Sequence, residues 1–314
     1  MEEAKRKLVP TPDIVAQPEP RLRLVVPGTA SAPESAPSRD PSAQAAEQLL
    51  AIELPPRPAV LVDLGAEMQK EEPDFGRVNG LVSADVGLAA AVIKTANSPY
   101  FGLGRRASSV QQAIYYLGLG EVFSIVTGLL LRQAFPSRDP IMERLWDASS
   151  QRAAIMGRMA RSLGCVASDR AHTCGLFENC GMAVLIQHAP GYAQSVAQIE
   201  SATNPQEVER EHYGLDHTVI GDALVRTWGL PDTIAQAVKH HHDVLALPSL
   251  GVARESAVLV ALSALVHQGL DRVWGRTRDH WEQEAVVVST VLGRAAADLE
   301  LHVAEVLAEV KVAR

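Results

Sequence analysis

Aromatic side chains make up only 4% of the 314 residues, too few for the ring-rich strand pairs that hold β-sandwiches together. Ala, Leu and Val supply most of the 47% apolar content, and such residues favour helix packing. The three cysteines, Cys165, Cys174 and Cys180, form no Cys-x-x-Cys pair. An odd number at these spacings fits a reducing cytosol better than a disulfide scaffold, with the thiols acting as small core residues. No apolar run approaches the roughly 20 residues that a membrane span needs. The longest candidate, Ala257 to Val266, is interrupted by Ser263 and reads as a buried helix. Positive charge is also short: 29 Lys and Arg against 37 Asp and Glu give a net charge of −8. That balance offers no global attraction for nucleic acid or anionic membrane. Arg105-Arg106 and the stretch from Arg272 to Arg278 are basic only locally and read as solvated faces. Charges at Glu2, Glu3, Lys5, Arg6 and Lys7 are not followed by an apolar block, so no signal peptide is expected. A cytoplasmic location follows as the expectation.

What is present is a proline-rich start followed by helical periodicity. Eight of the nineteen prolines fall by Pro41, among Ser, Ala and isolated charges, so residues 1–45 read as a disordered tail. Leu22, Leu24, Val25 and Val26 interrupt it and leave a short docking strand open as an alternative. From Ala45 the pattern is helical. A short helix through Leu49 and Leu50 reaches the extended stop Leu54-Pro55-Pro56-Arg57-Pro58. Helices follow over 59–70, from the cap Asp74 to about Ser83, from Asp85 to Asn97, from Ser109 through Leu117, and over 121–134. A second block holds helices over 141–163, 169–188, 191–201, 205–213, 217–228 and 231–242, and then an apolar helix over 253–270. Two further helices close the chain. The last carries a seam at Leu292, Ala296, Leu299, Val303, Val306 and Val310, fit either for the chain's own core or for a partner helix in a homodimer.

Ordered motifs across residues 50–250 resemble the HDOD domain family. They are Leu54-Pro55-Pro56-Arg57-Pro58, then Ala96-Asn97-Ser98-Pro99-Tyr100-Phe101-Gly102, Ser109-Val110-Gln111-Gln112-Ala113-Ile114 and Leu117-Gly118-Leu119. Trp146 with Ser149, Gly175-Leu176-Phe177, His217 with Gly221, Trp228-Gly229-Leu230-Pro231 and His241-His242 follow in order. The resemblance implies an all-α, HD-superfamily-like multi-helix bundle. Its domain would run over 46–250, as an N-terminal helical subdomain (46–135) and an HD-like subdomain (136–250), with C-terminal helices over 251–314. Asn97, Ser98, Pro99, Tyr100 and Phe101 read as a turn pinned to the core by its rings, with a partner-docking loop as the alternative. The left-handed conformation at that helix end would fall to Asn97.

The second block resembles the HD and HD-GYP metal-dependent phosphohydrolases, whose chemistry needs histidines, a His-Asp pair and a later Asp around one or two cations. In this chain Ala148 stands where the first histidine belongs, Glu178-Asn179 replaces the His-Asp pair, and Ser263-Ala264 is the nearest match to the late Asp. Alanine cannot ligate and Asn179 offers only a neutral oxygen. His217, His241 and His242 persist at ligand-like positions, although neighbours in a helix diverge by about 100°, so one of the last two would face outward. His217, His241 and Glu178 are weak candidate metal ligands, and Glu178 needs a partner such as His217 or an Arg. The resemblance therefore implies a vestigial pocket at Ala148, Glu178, Asn179, His217, His241 and His242, with no cofactor and no catalysis. The function so implied is a bacterial signalling module that works through regulatory protein partners or a small ligand, a nucleotide by analogy. A metal-dependent phosphodiesterase with atypical ligands, including one for cyclic dinucleotides, is the alternative. Neither a membrane nor a specific nucleic acid is an expected partner.

Overall fold

Asp74, Asp85, Ser109 and Asp139 each stand just ahead of a helix and bond its free first amides. Asp74 Oδ1 accepts from Gly76 N at 2.7 Å and Arg77 N at 3.1 Å, and Ser109 Oγ accepts from Gln112 N at 3.1 Å. The structure is a computed structural model that describes residues 52–276 and 280–310. The tail at 1–45, its apolar run at 22–26 and the short helix through Leu49 and Leu50 lie outside the described residues.

The helices follow in chain order as α1 (Ala59–Met68), α2 (Phe75–Ser83), α3 (Val86–Ala96), a 3-10 turn (Pro99–Phe101), α4 (Val110–Leu117) and α5 (Leu119–Ala134). Next come α6 (Pro140–Leu163), α7 (Ser168–Phe177), α8 (Cys180–His188), α9 (Tyr192–Ser201), α10 (Pro205–Tyr213), α11 (His217–Thr227) and α12 (Asp232–His240). A second 3-10 segment (Val244–Ser249), α13 (Arg254–Val273), α14 (Trp281–Leu292) and α15 (Ala296–Val310) complete the described chain. The fold is all-α, with no β-strand among the described residues. No single described helix is long and apolar enough to cross a membrane.

One apolar core runs through the molecule, from Ile52 to Val310. The long α6 packs along α7, α5 covers the other side of α7, and α11 rests on α8 and α12. The helix α13, apolar from Ala257 to Val266 but for Ser263, lies centrally and touches α6, α7, α12, α14 and α15. The proline-rich opening motif is held by Trp228, whose Nε1 donates to Pro55 O at 3.0 Å while its ring meets Phe177 edge-on at 5.8 Å. Arg57 donates to Leu61 O at 2.9 Å and lies against Gly229, closing the contact between the first helix and the end of α11.

Backbone meets backbone where α8 crosses α11. A Cβ on Gly181 would stand 1.9 Å from the His217 carbonyl oxygen and 2.9 Å from Gly221 N, so no larger residue fits. This crossing fixes His217 relative to the residues that precede α8.

Two expectations change, and the C-terminal seam takes the first of its two readings. The helix expected over 169–188 breaks at Glu178-Asn179, where Asn179 takes φ −110° and ψ 19°. No proline or glycine marks the break; it falls on two buried polar residues, and Asn readily bonds outside a helix. Asn97 does not adopt the left-handed conformation: it has φ −83° and ψ 2°, and Gly102 takes that role at φ 58°. Asn97 instead clamps the loop, donating to Ala107 O at 2.7 Å and accepting from Ala107 N at 2.8 Å. The C-terminal seam is interrupted by Gly293 (φ 66°) and does not face outward. Leu299, Val303, Val306 and Val310 are buried in α15 against the chain's own helices, including α13 and α6.

Candidate functional site

His217 opens α11 because Asp216 caps that helix. Asp216 Oδ1 accepts from Thr218 N at 3.0 Å and Val219 N at 3.1 Å, and Oδ2 accepts from Arg210 at 2.8 Å. Burial raises the Asp216 carboxyl, but these hydrogen bonds and Arg210 outweigh it and hold the group below the ordinary range. The His217 ring is tied at Nδ1 to Glu209 Oε2, 2.6 Å away, and the same oxygen accepts the His217 backbone amide at 2.9 Å. Glu209, fully buried on α10, also accepts from the hydroxyl of Tyr192 on α9. Burial and the Glu209 charge push the Tyr192 phenol upward, so Tyr192 stays a donor.

His241 and His242 both reach His217, contrary to the expected divergence. The chain leaves the helix at His240, so the angular rule no longer applies to the two residues that follow. His217 Nε2 lies 3.4 Å from His241 Nε2 and 3.2 Å from His242 Nε2. One donor nitrogen from each ring fits within a 4.8 Å sphere of mutual distances. His241 Nδ1 is spent on Val238 O at 2.7 Å. Burial drives His241 down to about 3, only partly offset by Glu178, so its imidazole is neutral. His240 turns away and pairs with Asp243 at 2.9 Å.

Glu178 builds a second cluster, at the break between α7 and α8. Its Oε2 accepts from Ser263 Oγ at 2.6 Å, and His267 Nε2 stands 2.7 Å from Oε1. Arg152, on α6, adds its Nε at 3.7 Å from Oε1 and its Nη1 at 3.3 Å from His267 Nε2. Burial alone would raise this carboxyl, yet the His267 ion pair and hydrogen bonding, then Arg152, keep it well below the carboxylate range. The partners are thus His267, Ser263 and Arg152, and not His217.

Of the remaining expected residues, Asn179 is buried at the break and Ala148 is half-buried on α6 and offers no donor atom. Pro99 is exposed, Ser98 and Tyr100 are half-buried, and Phe101 lies 5.6 Å from the buried His172 ring. His172 accepts or shares a proton with Ser124 Oγ at 2.6 Å, and burial lowers it to about 4. Glu209, Arg152 and His267 were not foreseen. His267 stands four residues after Ser263, which places both on one helix face. Arg152 is a charge set into the apolar stripe of α6, between Ser149 and Met156. Two clefts of about 430 and 460 Å³ lie elsewhere, one lined by Gln268, Arg272 and Leu307, the other by Arg132, Phe135 and Trp146.

A helical bundle in which the 178–179 break, the start of α11 and the end of α12 meet is an HD-type helical domain. The HDOD domain profile matches residues 54–244, more than half of the 314, and the chain belongs to the HDOD family. Among curated relatives, an uncharacterized protein of Treponema pallidum (strain Nichols) is 24% identical over 203 residues, covering 62% of this chain and 39% of that protein. YuxH of Bacillus subtilis (strain 168), also uncharacterized, is 36% identical over 56 residues, 18% of this chain and 14% of its own length. The chain thus spans well under half the length of the curated relatives it matches. An HDOD domain protein of unknown function from Geobacter sulfurreducens superposes with a TM-score of 0.64 at 21% identity, covering 85% of this chain and 96% of that one. A protein of Shewanella amazonensis SB2B named as a candidate phosphohydrolase gives 0.63 at 19%, covering 86% and 95%. One from Marinobacter aquaeolei VT8 named as a candidate signal transduction protein gives 0.65 at 22%, covering 82% and 58%. At these identities the likeness shows the fold alone.

Proposed function

We propose that this chain is a non-catalytic bacterial regulatory module of the cytosol, acting through protein contacts or a small ligand on an HD scaffold whose hydrolytic centre is dismantled. The observation that carries this reading is the Glu178 cluster. An HD hydrolase would place a His-Asp pair here, facing a metal; this chain places one carboxylate and covers it with the Arg152 guanidinium and the His267 ring. Ser263, at the nearest match to the late Asp, bonds that carboxylate instead of offering a charge. A divalent cation would meet Arg152 at the same carboxylate, and like charges at low dielectric repel strongly. Ala148 and Asn179 add no anionic donor. The His217, His241 and His242 cluster favours a second reading, a phosphohydrolase with atypical ligands.

The test is turnover. Full-length chain supplied with Mn²⁺, Mg²⁺ or Zn²⁺ is incubated with a generic phosphodiester and with cyclic dinucleotides. No hydrolysis above that of the His217→Ala variant is expected. Hydrolysis that depends on His217 and on added metal would establish the second reading in its place.

A further inference from the structure

The tautomers of two rings at the histidine cluster can be read from their partners. His241 Nδ1 faces a carbonyl oxygen, which can only accept, so Nδ1 carries the proton and Nε2 presents a lone pair. His217 Nδ1 faces the Glu209 carboxylate, which likewise accepts, so Nδ1 carries the proton and donates it. The two Nε2 atoms then point lone pairs at each other across 3.4 Å, with His242 Nε2 3.2 Å from the first. Such a meeting of buried acceptors is unfavourable unless a positive charge joins them. Metal-binding histidines are oriented in the same way, one ring nitrogen tied to a carboxylate or carbonyl and the other turned to the ion.

Distance points the same way. Two nitrogens bound at about 2.0–2.1 Å to a tetrahedral ion are separated by about 3.3 Å. The observed separations of 3.4 and 3.2 Å match that edge. Imidazole is a borderline donor suited to Zn²⁺, Co²⁺, Ni²⁺ or Cu²⁺, whereas Mg²⁺ and Ca²⁺ need oxygen ligands. His217 and His241 are buried and His242 is half-buried, so solvent meets the cluster on the His242 side.

We propose that His217, His241 and His242 form a mononuclear, all-nitrogen site for a divalent cation of the Zn²⁺ and Co²⁺ class, with Glu209 as its positioning residue. This rests on the regulatory reading only in that the ion would serve as ligand or structural clasp and not as hydrolytic centre. The competing occupant is a proton on His217 Nε2, shared with His241.

The experiment uses chelator-stripped full-length chain titrated with Co²⁺, read by visible ligand-field absorption, elemental content and melting temperature. One Co²⁺ per chain is expected, displaced by Zn²⁺, with a rise in melting temperature on loading. His242→Ala, chosen because its ring is half-exposed, should keep the circular dichroism of the wild type and lose at least about tenfold in Co²⁺ affinity. Glu209→Gln should weaken binding by about 10–100-fold. A folded wild type that takes up no Co²⁺ overturns the proposal in favour of the proton, and equal affinity in wild type and His242→Ala overturns it by placing the ion elsewhere. Binding accompanied by phosphodiester hydrolysis would overturn the regulatory reading and leave the site standing. Absence of both would remove the site and leave that reading untouched.

Discussion

Two buried polar clusters, one around Glu178 just ahead of α8 and one around His217 at the start of α11, treat charge in opposite ways. At Glu178 the chain has brought its own counter-charge: the Arg152 guanidinium and the His267 ring face the carboxylate and Ser263 fills its second oxygen. At His217 the carboxylate stands behind the ring, and the nitrogens in front face one another. The first cluster is closed on itself. The second has its rings oriented from behind, with their Nε2 atoms turned toward one another. Two polar clusters in one helical bundle can therefore differ, one sealed by its own side chains and the other with its donors in register.

The largest effect that can break this comparison is expected from Arg152→Met. Removing one partner of a buried ion pair leaves an uncompensated charge, and urea denaturation should show a loss of about 3–5 kcal/mol. A loss under about 1 kcal/mol would mean that Glu178 does not need its cation. Glu209→Gln should be milder, about 1.5–3 kcal/mol, because the amide keeps an acceptor for His217 and loses only the charge assistance. If it proves the more damaging of the two, the histidine cluster is the better-satisfied one and the contrast reverses.

Acid separates the two clusters by window. His241 and His172 are lowered in the fold, to about 3 and about 4, from an unfolded value near 6.5. The unfolded chain then binds more protons below pH 6.5, so stability falls as pH drops from there toward those values, by at most about 1.4 kcal/mol per pH unit for each ring. Glu178 is also lowered, but its contribution is present above the ordinary carboxylate value and is lost only as pH falls below that range. Denaturation curves between pH 7 and pH 5 should therefore carry the histidine slope, opposed by Glu121, whose carboxyl is raised by burial, and His172→Asn should flatten the slope by one ring's share. The smallest effect is a null one. Glu178→His combined with Asn179→Asp should yield no phosphodiester turnover, since Ala148 still lacks a donor and Arg152 would face the introduced imidazole.

Local signals were the legible part of this molecule. Asp74, Asp85 and Ser109 cap the helices they precede because a cap depends only on the next few residues. The motifs from Leu54 to His242 were enough to identify the family and the all-α fold. The break at Glu178-Asn179 was not legible, since no proline or glycine announces it and the contacts that hold it come from α6 and α13. His241 and His242 were misread for a related reason: the 100° rule is valid only inside a helix, and the helix ends one residue earlier. Glu209 and Arg152 escaped because a family pattern points to ligand positions, whereas Glu209 stands behind His217 and Arg152 faces Glu178 from another helix. His267 was the retrievable miss, four positions beyond Ser263 on one face.

The glycine crossing of α8 and α11 has a mechanical side. Packed side chains can rotate and absorb a small push, but at Gly181 the main chain of one helix rests on the carbonyl of His217 with nothing between them to yield. Displacement of α8 is therefore handed on to the histidine without slack. The other end of α8 is His188, ahead of a surface turn at Gly191, so the helix works as a stiff pushrod between the outside of the protein and its innermost imidazoles.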